Sequence, residues 1–322
     1  MTVRPPLARC RLVEFQCAAA ARLRDEPLVA TASQVSAWLL IEVVGPWGHD
    51  AIGHSELGPF APNVWREALR RRGIRLVAIR RDLSTRHQHG EIRLVHVEAP
   101  RPGRRSATAH RCIIGNLRDV VPATESLVND ATVGAGWDPE PDRYVLVCTN
   151  GRHDACCATF GRPLVRALRE SPWASEVWEC SHIGGDRFAA NIVLLPESLY
   201  FGNVDPTSGE RLLRAHDDGR LEVGRFRGRS TLRLPEQAAE HAVRSRLGVD
   251  RIDAVIDITS LRPGHVEVAL DDGRKVAVEI ERVERPAPTA LTCKGRPGLA
   301  YPEFRIVTIE VVQAKPATGW GV

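Results

Sequence analysis

YVLVCTNGRHDACC, residues 144–157, decides how this chain is read. Tyr144–Val147 is a short apolar, Val-rich run that predicts a strand. The polar loop that follows, Cys148 to Cys157, leads toward a helix expected over Arg162–Glu170, where Leu164, Val165 and Leu168 share one face. A strand end is where an α/β sheet presents side chains to a crevice, so a thiol there is placed to act on something outside the sheet.

ECSHIGGDRFAAN, residues 179–191, repeats the arrangement, because it follows a strand expected over Val177–Cys180. Cys180 and His182 are two residues apart and would share a strand face. Gly184 and Gly185 let the chain turn back, which brings Asp186 near His182. Two cysteine-bearing loops at two strand ends can meet at one point. Thiolate and imidazole are donors for iron-sulfur clusters and for zinc, and glycines allow close backbone approach. A lone buried cysteine is ordinarily a small hydrophobe; this pairing of segments predicts a metal centre.

Working outward, a short helix is expected over residues 17–25, and WLLIEVV (38–44) reads as a buried strand closed by Gly45, Pro46, Trp47 and Gly48. A helix over 63–72 and strands at 74–81 and 91–97 complete a β-α-β-β unit. Pro100–Arg105 reads as a linker, and a further strand is expected at 191–195. After Asp205–Pro206 come a helix over 236–247 and strand candidates at 254–258, 265–270, 275–280 and 304–311. Asp271, Asp272 and Gly273 form a hairpin turn between two of these. The fold class is α/β with α+β elements. The expected units are an N-terminal domain (1–105), a second α/β domain (106–205) and a small α+β appendage (206–322), with no internal repeat visible.

Of the 322 residues, 43% are hydrophobic and 26% charged, as in soluble proteins with more than one core. The 44 basic and 40 acidic residues are interleaved and leave a formal charge of +4, so neither nucleic acid nor another strongly charged partner is implied. The basic residues are nearly all Arg, with Lys only at 275, 294 and 315. No apolar run reaches about 18 residues, which excludes a membrane span. The first residues lack an apolar signal core, so a cytoplasmic location is expected. Eight cysteines (10, 17, 112, 148, 156, 157, 180 and 293) are too scattered for a disulfide scaffold. Phosphate-loop, HExxH and Ser-His-Asp signatures are absent, which leaves a hydrolase reading without an anchor.

CTNGRHDACC (148–157) together with SHIGGDRFAANIVLLP (181–196) resembles the sucrase/ferredoxin-like family, and WLLIEVVGPWG (38–48) resembles that family's N-terminal signature, over roughly residues 10–205. The resemblance implies a thioredoxin-like [2Fe-2S] ferredoxin domain, electron transfer rather than sugar cleavage, and a reductase or oxidase as redox partner. Family members hold the cluster with two cysteines separated by eight residues and two histidines separated by three. Cys148 and Cys157 match the cysteines and His182 the first histidine, while Asp186 stands at the second. A carboxylate is a hard donor, so Cys180 is preferred as fourth ligand, with Asp186 and Cys156 as alternatives. His153 and Asp154 are read as solvated, Arg152 and Arg187 as offsets to cluster charge, Trp47 as core packing, and the basic residues of 66–81 as a wet face. Cys10, Cys17 and Cys293 lie outside both segments and are expected to be replaceable. Two other readings use the same residues. One is a thiol-disulfide oxidoreductase with Cys148, Cys156 or Cys157 as nucleophile, although the CxxC spacing is missing. The other is a structural zinc site.

Overall fold

Apolar runs such as Trp38–Ile41 and Tyr144–Val147 have no polar face, and each becomes a strand buried on both sides of one sheet. The structure, a computed structural model, describes residues 15–81, 90–103 and 107–312. After a first helix, α1 (Cys17–Leu23), the chain runs β1 (Ala37–Glu42), α2 (Asn63–Arg71), β2 (Ile74–Arg80), β3 (Ile92–Glu98) and β4 (Thr108–Ile114). Two short helices, α3 (Val120–Ala123) and α4 (Glu125–Asn129), lead to the short β5 (Asp138–Pro139). Then follow β6 (Tyr144–Cys148), α5 (Ala155–Arg169), β7 (Val177–Cys180), β8 (Ile192–Leu195), β9 (Leu199–Phe201), α6 (Pro206–Asp217) and β10 (Phe226–Arg229).

The path of the chain repeats itself. β1 pairs parallel with β2 across α2 and antiparallel with β3, which pairs antiparallel with β4. β6 pairs parallel with β7 across α5 and antiparallel with β8, which pairs antiparallel with β9. The two β-α-β-β-β units join edge to edge through β2 and β7, antiparallel, at Ile79↔Cys180 and Arg80↔Glu179. The result is one ten-stranded mixed sheet in the order β10-β9-β8-β6-β7-β2-β1-β3-β4-β5. The repeat was invisible in the sequence because it is one of topology, carried by different residues. The Pro100–Arg105 stretch, expected as a linker, connects β3 to β4, which pair from Ile92↔Ile114 to Glu98↔Thr108; the chain therefore stays in the same sheet. The change of character at Asp205 does not end the sheet either, since β10 pairs with β9.

Alternation along the strands sorts side chains to two faces. Trp38, Leu40, Val77, Ile79, Leu146, Cys148, Trp178, Cys180 and Val193 form one core that runs across the seam between the units. The opposite face is covered by α2 in the first unit and by α5 and α6 in the second. Beyond β10, α7 (Leu234–Leu247) packs Ala238, Ala239 and Val243 onto a separate antiparallel sheet. That sheet has the order β11 (Val255–Arg262), β12 (His265–Leu270), β13 (Lys275–Pro286), β14 (Ala300–Val312). The Asp271–Gly273 turn lies between β11's partner β12 and β13, and Gly273 has φ +87°.

Candidate metal centre

β2 and β7 overlap only at their C-terminal ends, so the loops that leave β6 and β7 emerge at the seam between the two units. Cys148 and Cys180 are register partners on β6 and β7. After Cys148 the chain makes a tight loop and enters α5 seven residues earlier than expected, with Asp154 as N-cap; its carboxylate accepts from the Cys156 amide at 2.9 Å. Cys157 therefore sits in the first helical turn. The close approach of α5 to the end of β6 depends on Gly161, because a Cβ there would lie 2.2 Å from the Cys148 carbonyl oxygen.

The donor atoms of Cys148, Cys157 and His182 lie within 4.8 Å of one another, as do those of His153, His182 and Asp186. Cys157 Sγ–H donates to Asp186 Oδ1 at 3.1 Å. Asp186 Oδ1 is also 2.9 Å from His182 Nδ1, so the two side chains form an ion pair. The turn at Gly184 and Gly185, both at positive φ, thus brings Asp186 back to His182 as the spacing led one to expect.

The charges are set by this proximity. The neighbouring Cys157 and then His182 overcome burial and pull the Cys148 thiol down to about 5, while Cys157, held beside Cys148 and buried, is pushed up. Burial opposes charge on His182, but Asp186 and Cys148 outweigh it and raise the imidazole to about 9. Burial likewise opposes charge on Asp186, and His182 nonetheless holds its carboxyl below the usual range. Without a metal the pocket is thus a compact zwitterion of thiolate, imidazolium and carboxylate. A cation bound there would displace the His182 proton.

Two expectations change. Cys180 joins none of these donor groups among the described residues. β7 ends at Cys180, whose side chain points into the core with Trp38, Ile79, Ile183 and Tyr200. Ser181 then bonds back to β2, its amide to the Ala78 carbonyl at 2.8 Å and its Oγ accepting from the Ala78 amide at 3.1 Å. The strand period stops there, and His182 leaves the face that Cys180 occupies. Cys156 turns away from the pocket toward Cys17 and Cys293.

His153, expected to be solvated, stacks between His182 (centroids 3.7 Å apart) and His49 (4.6 Å). His49 belongs to the turn after β1, and Asn150 Nδ2 donates to Gly48 in the same turn at 3.2 Å, so the first unit forms one wall of the site. Asp154 is buried, not solvated. Trp47 packs in the first unit's core and donates to the Val43 carbonyl at 3.1 Å, with Arg80 stacked 3.9 Å from its ring centroid. Arg187 pairs with Glu26 and so is committed away from the thiolates.

One supporting residue had no signal in the sequence. The fully buried Arg227 of β10 donates to the Gly184 carbonyl (3.0 Å), Asn191 Oδ1 (2.8 Å), Thr31 Oγ1 (3.0 Å) and the Thr31 carbonyl. A Cβ on Gly185 would come within 2.3 Å of its Nη2, so only glycine lets the loop close over this guanidinium. Arg227 therefore fixes the turn that carries His182 and Asp186.

These features define an α/β protein whose Cys, His and Asp side chains, gathered at the ends of two parallel strands, can hold a metal ion. A family model described as sucrase/ferredoxin-like matches residues 28–228, more than half of the chain, and the protein belongs to that family. The match ends within β10, the last strand of the large sheet to be made, so α7 and the four-stranded sheet lie beyond it. A curated relative from Candida glabrata, "Altered inheritance of mitochondria protein 32", is 26% identical over 101 residues, 27% of this chain and 32% of that protein. The chain thus spans about a third of the length of that relative. No solved structure matches. No helix among the described residues is long and apolar enough to cross a membrane.

Proposed function

We propose that this chain is an electron carrier that binds a [2Fe-2S] cluster through Cys148, Cys157, His182 and Asp186 in its second, thioredoxin-like unit. The observation that carries this reading is the convergence of two thiols and an imidazole, whose donor atoms lie within 4.8 Å of one another. The donor set fits an iron-sulfur centre in which imidazole and carboxylate replace two thiolates. Such a cluster takes up and releases single electrons, and imidazole ligation places its potential above that of an all-cysteine ferredoxin. Asp186 is favoured over Cys180 as fourth donor because it contacts both Cys157 and His182.

The surrounding residues supply burial, orientation and access. Arg227 and the glycine turn fix His182 and Asp186, and Cys148 and Cys157 are 1% exposed, which argues against a nucleophilic thiol that must meet a substrate disulfide. The side chains of His182 and His153 are 25% and 26% exposed, so they offer the way in from solvent for a partner. A reductase or oxidase docking over this histidine stack would exchange electrons there.

A single tetrahedral zinc ion is the second reading. It is favoured by how closely the donors approach, since contacts of 2.9 to 3.1 Å around Asp186 suit one ion better than two irons. Anaerobic purification of Asp186→Ala and Cys180→Ala with iron analysis tests the ligand set. The Asp186→Ala protein is expected to lose iron and colour while Cys180→Ala keeps both; the reverse result would remove Asp186 from the centre.

A further inference from the structure

Cys17, Cys156 and Cys293, none of them needed for the centre described above, meet at a second point. Cys17 opens α1, Cys156 lies in the first turn of α5, and Cys293 belongs to the connection between β13 and β14. Cys156 and Cys293 are 137 positions apart, and Cys17 and Cys293 are 276 apart. Their sulfurs are nevertheless 3.4 Å apart for Cys156–Cys293 and 3.6 Å for Cys293–Cys17. Asp154 completes the group, with its two oxygens 3.6 and 3.7 Å from Cys17 Sγ, and all four donor atoms lie within 4.8 Å of one another.

The geometry points to a structural zinc site of the Cys3Asp type. Zinc–sulfur bonds of about 2.3 Å and zinc–oxygen bonds of about 2.0 Å give tetrahedral edges of roughly 3.8 Å between sulfurs and 3.5 Å between sulfur and oxygen. The observed spacings fall within a few tenths of an ångström of these edges. Cys17, Cys156 and Asp154 are at most 1% exposed, and Cys293 is half-buried, so the group is closed rather than open to substrate. Asp154 accepts from the amides of Cys156 and Cys293 (2.8 Å), but no cationic side chain among the described residues pairs with it. Helix capping explains a carboxylate at this position. It does not explain three thiols from distant segments at metal-ligand spacing around it, and buried charge of this kind is paired or coordinates a metal. A disulfide would use two of the three cysteines and strand the third.

The ion would tie α1 and the β13–β14 connection to the start of α5, one residue from Cys157. Cys17 and Cys293, which look like bystanders in the sequence, thus hold the segment that presents an electron-carrier ligand. This second site does not depend on what occupies the first.

Zinc content of the full chain, expressed with zinc and purified without chelator, tests the assignment. One zinc per chain is expected to remain in Cys148→Ser, and Cys17→Ser and Cys293→Ser are each expected to hold one zinc per chain fewer than the wild type. Absence of zinc from the wild type would overturn the proposal. So would zinc that survives Cys17→Ser but not Cys148→Ser, or a wild-type mass two hydrogens low with a disulfide mapped among these three cysteines. Should either variant aggregate, alkylation of the wild type decides the question. Cys17, Cys156 and Cys293 are expected to be protected until a zinc chelator is added, and equal labelling before and after chelation would refute the site.

Discussion

Replacing Arg227 by Met keeps the bulk of the side chain and removes the guanidinium that anchors the Gly184–Gly185 turn. Four hydrogen bonds are lost, two to backbone carbonyls and two to side-chain oxygens, from a side chain that is fully buried. Hydrogen bonds from a charged donor contribute about 1.5–3 kcal/mol each, or roughly 6–12 kcal/mol for four. Removing a buried charge recovers several kcal/mol of desolvation, which is already visible in the fall of the Arg227 pKa to about 10 under burial. The net loss is about 2–4 kcal/mol. For a chain with a urea m-value of about 3 kcal/mol/M, the unfolding midpoint should drop by roughly 1 M. Hydrogen exchange should rise selectively over residues 182–187 and 31–33. Arg227→Lys should not rescue, because one ammonium cannot span Thr31, Gly184 and Asn191 as the planar fork does. A midpoint within about 0.2 M of wild type, with unchanged exchange in the turn, would show that Arg227 does not hold the site.

Two further perturbations probe the scaffold. His96 of β3 is 1% exposed, neither ring nitrogen has a partner among the described residues, and burial depresses its pKa from 6.5 to about 4. The unfolded chain takes up the proton first, so stability falls as pH drops from about 6.5 toward 4, by up to roughly 3 kcal/mol; His96→Leu should flatten that limb in urea melts at pH 7 and pH 4.5, and an unchanged slope would exonerate His96. Glu240 of α7 receives Arg229 at 2.8 Å and Arg244 at 2.9 and 3.0 Å through one carboxylate oxygen, with Glu240 and Arg244 fully buried. Glu240→Ala leaves two buried guanidinium groups unpaired and should cost about 3–5 kcal/mol by thermal or urea unfolding; a loss below about 1 kcal/mol would mean the triad contributes little.

Cys148, Cys157 and His182, which the structure brings together, are legible in the sequence, whereas the residues that support them are not. Apolar runs such as Trp38–Ile41 and Tyr144–Val147, and the Asp271–Gly273 turn, announce themselves through period and turn residues. α5 begins at Ala155, well before the apolar face at Leu164, Val165 and Leu168 that marks it in the sequence, because its first turn carries Cys156 and Cys157 and is started by the Asp154 cap. The seam between β2 and β7 is a tertiary pairing of only two residue pairs and has no local signature. Donor softness favours Cys180 over Asp186 in the sequence; the end of β7 at Cys180 and the bonding of Ser181 to Ala78 turn the chain and leave Cys180 in the core, while Asp186 meets His182. Arg227 meets Gly184 across 43 residues and Thr31 across 196, and Cys17 and Cys293 meet across 276, so residue type alone does not reveal these contacts. Cys10, also expected to be replaceable, lies outside the described residues.

Iron and acid-labile sulfide, measured on anaerobically purified protein alongside its visible spectrum, test the electron-carrier reading most directly. A brown protein with two iron atoms and two sulfides per chain, both lost in Cys148→Ser, is the expected result. A colourless protein without iron or sulfide, in which Cys148→Ser instead releases zinc, would contradict it.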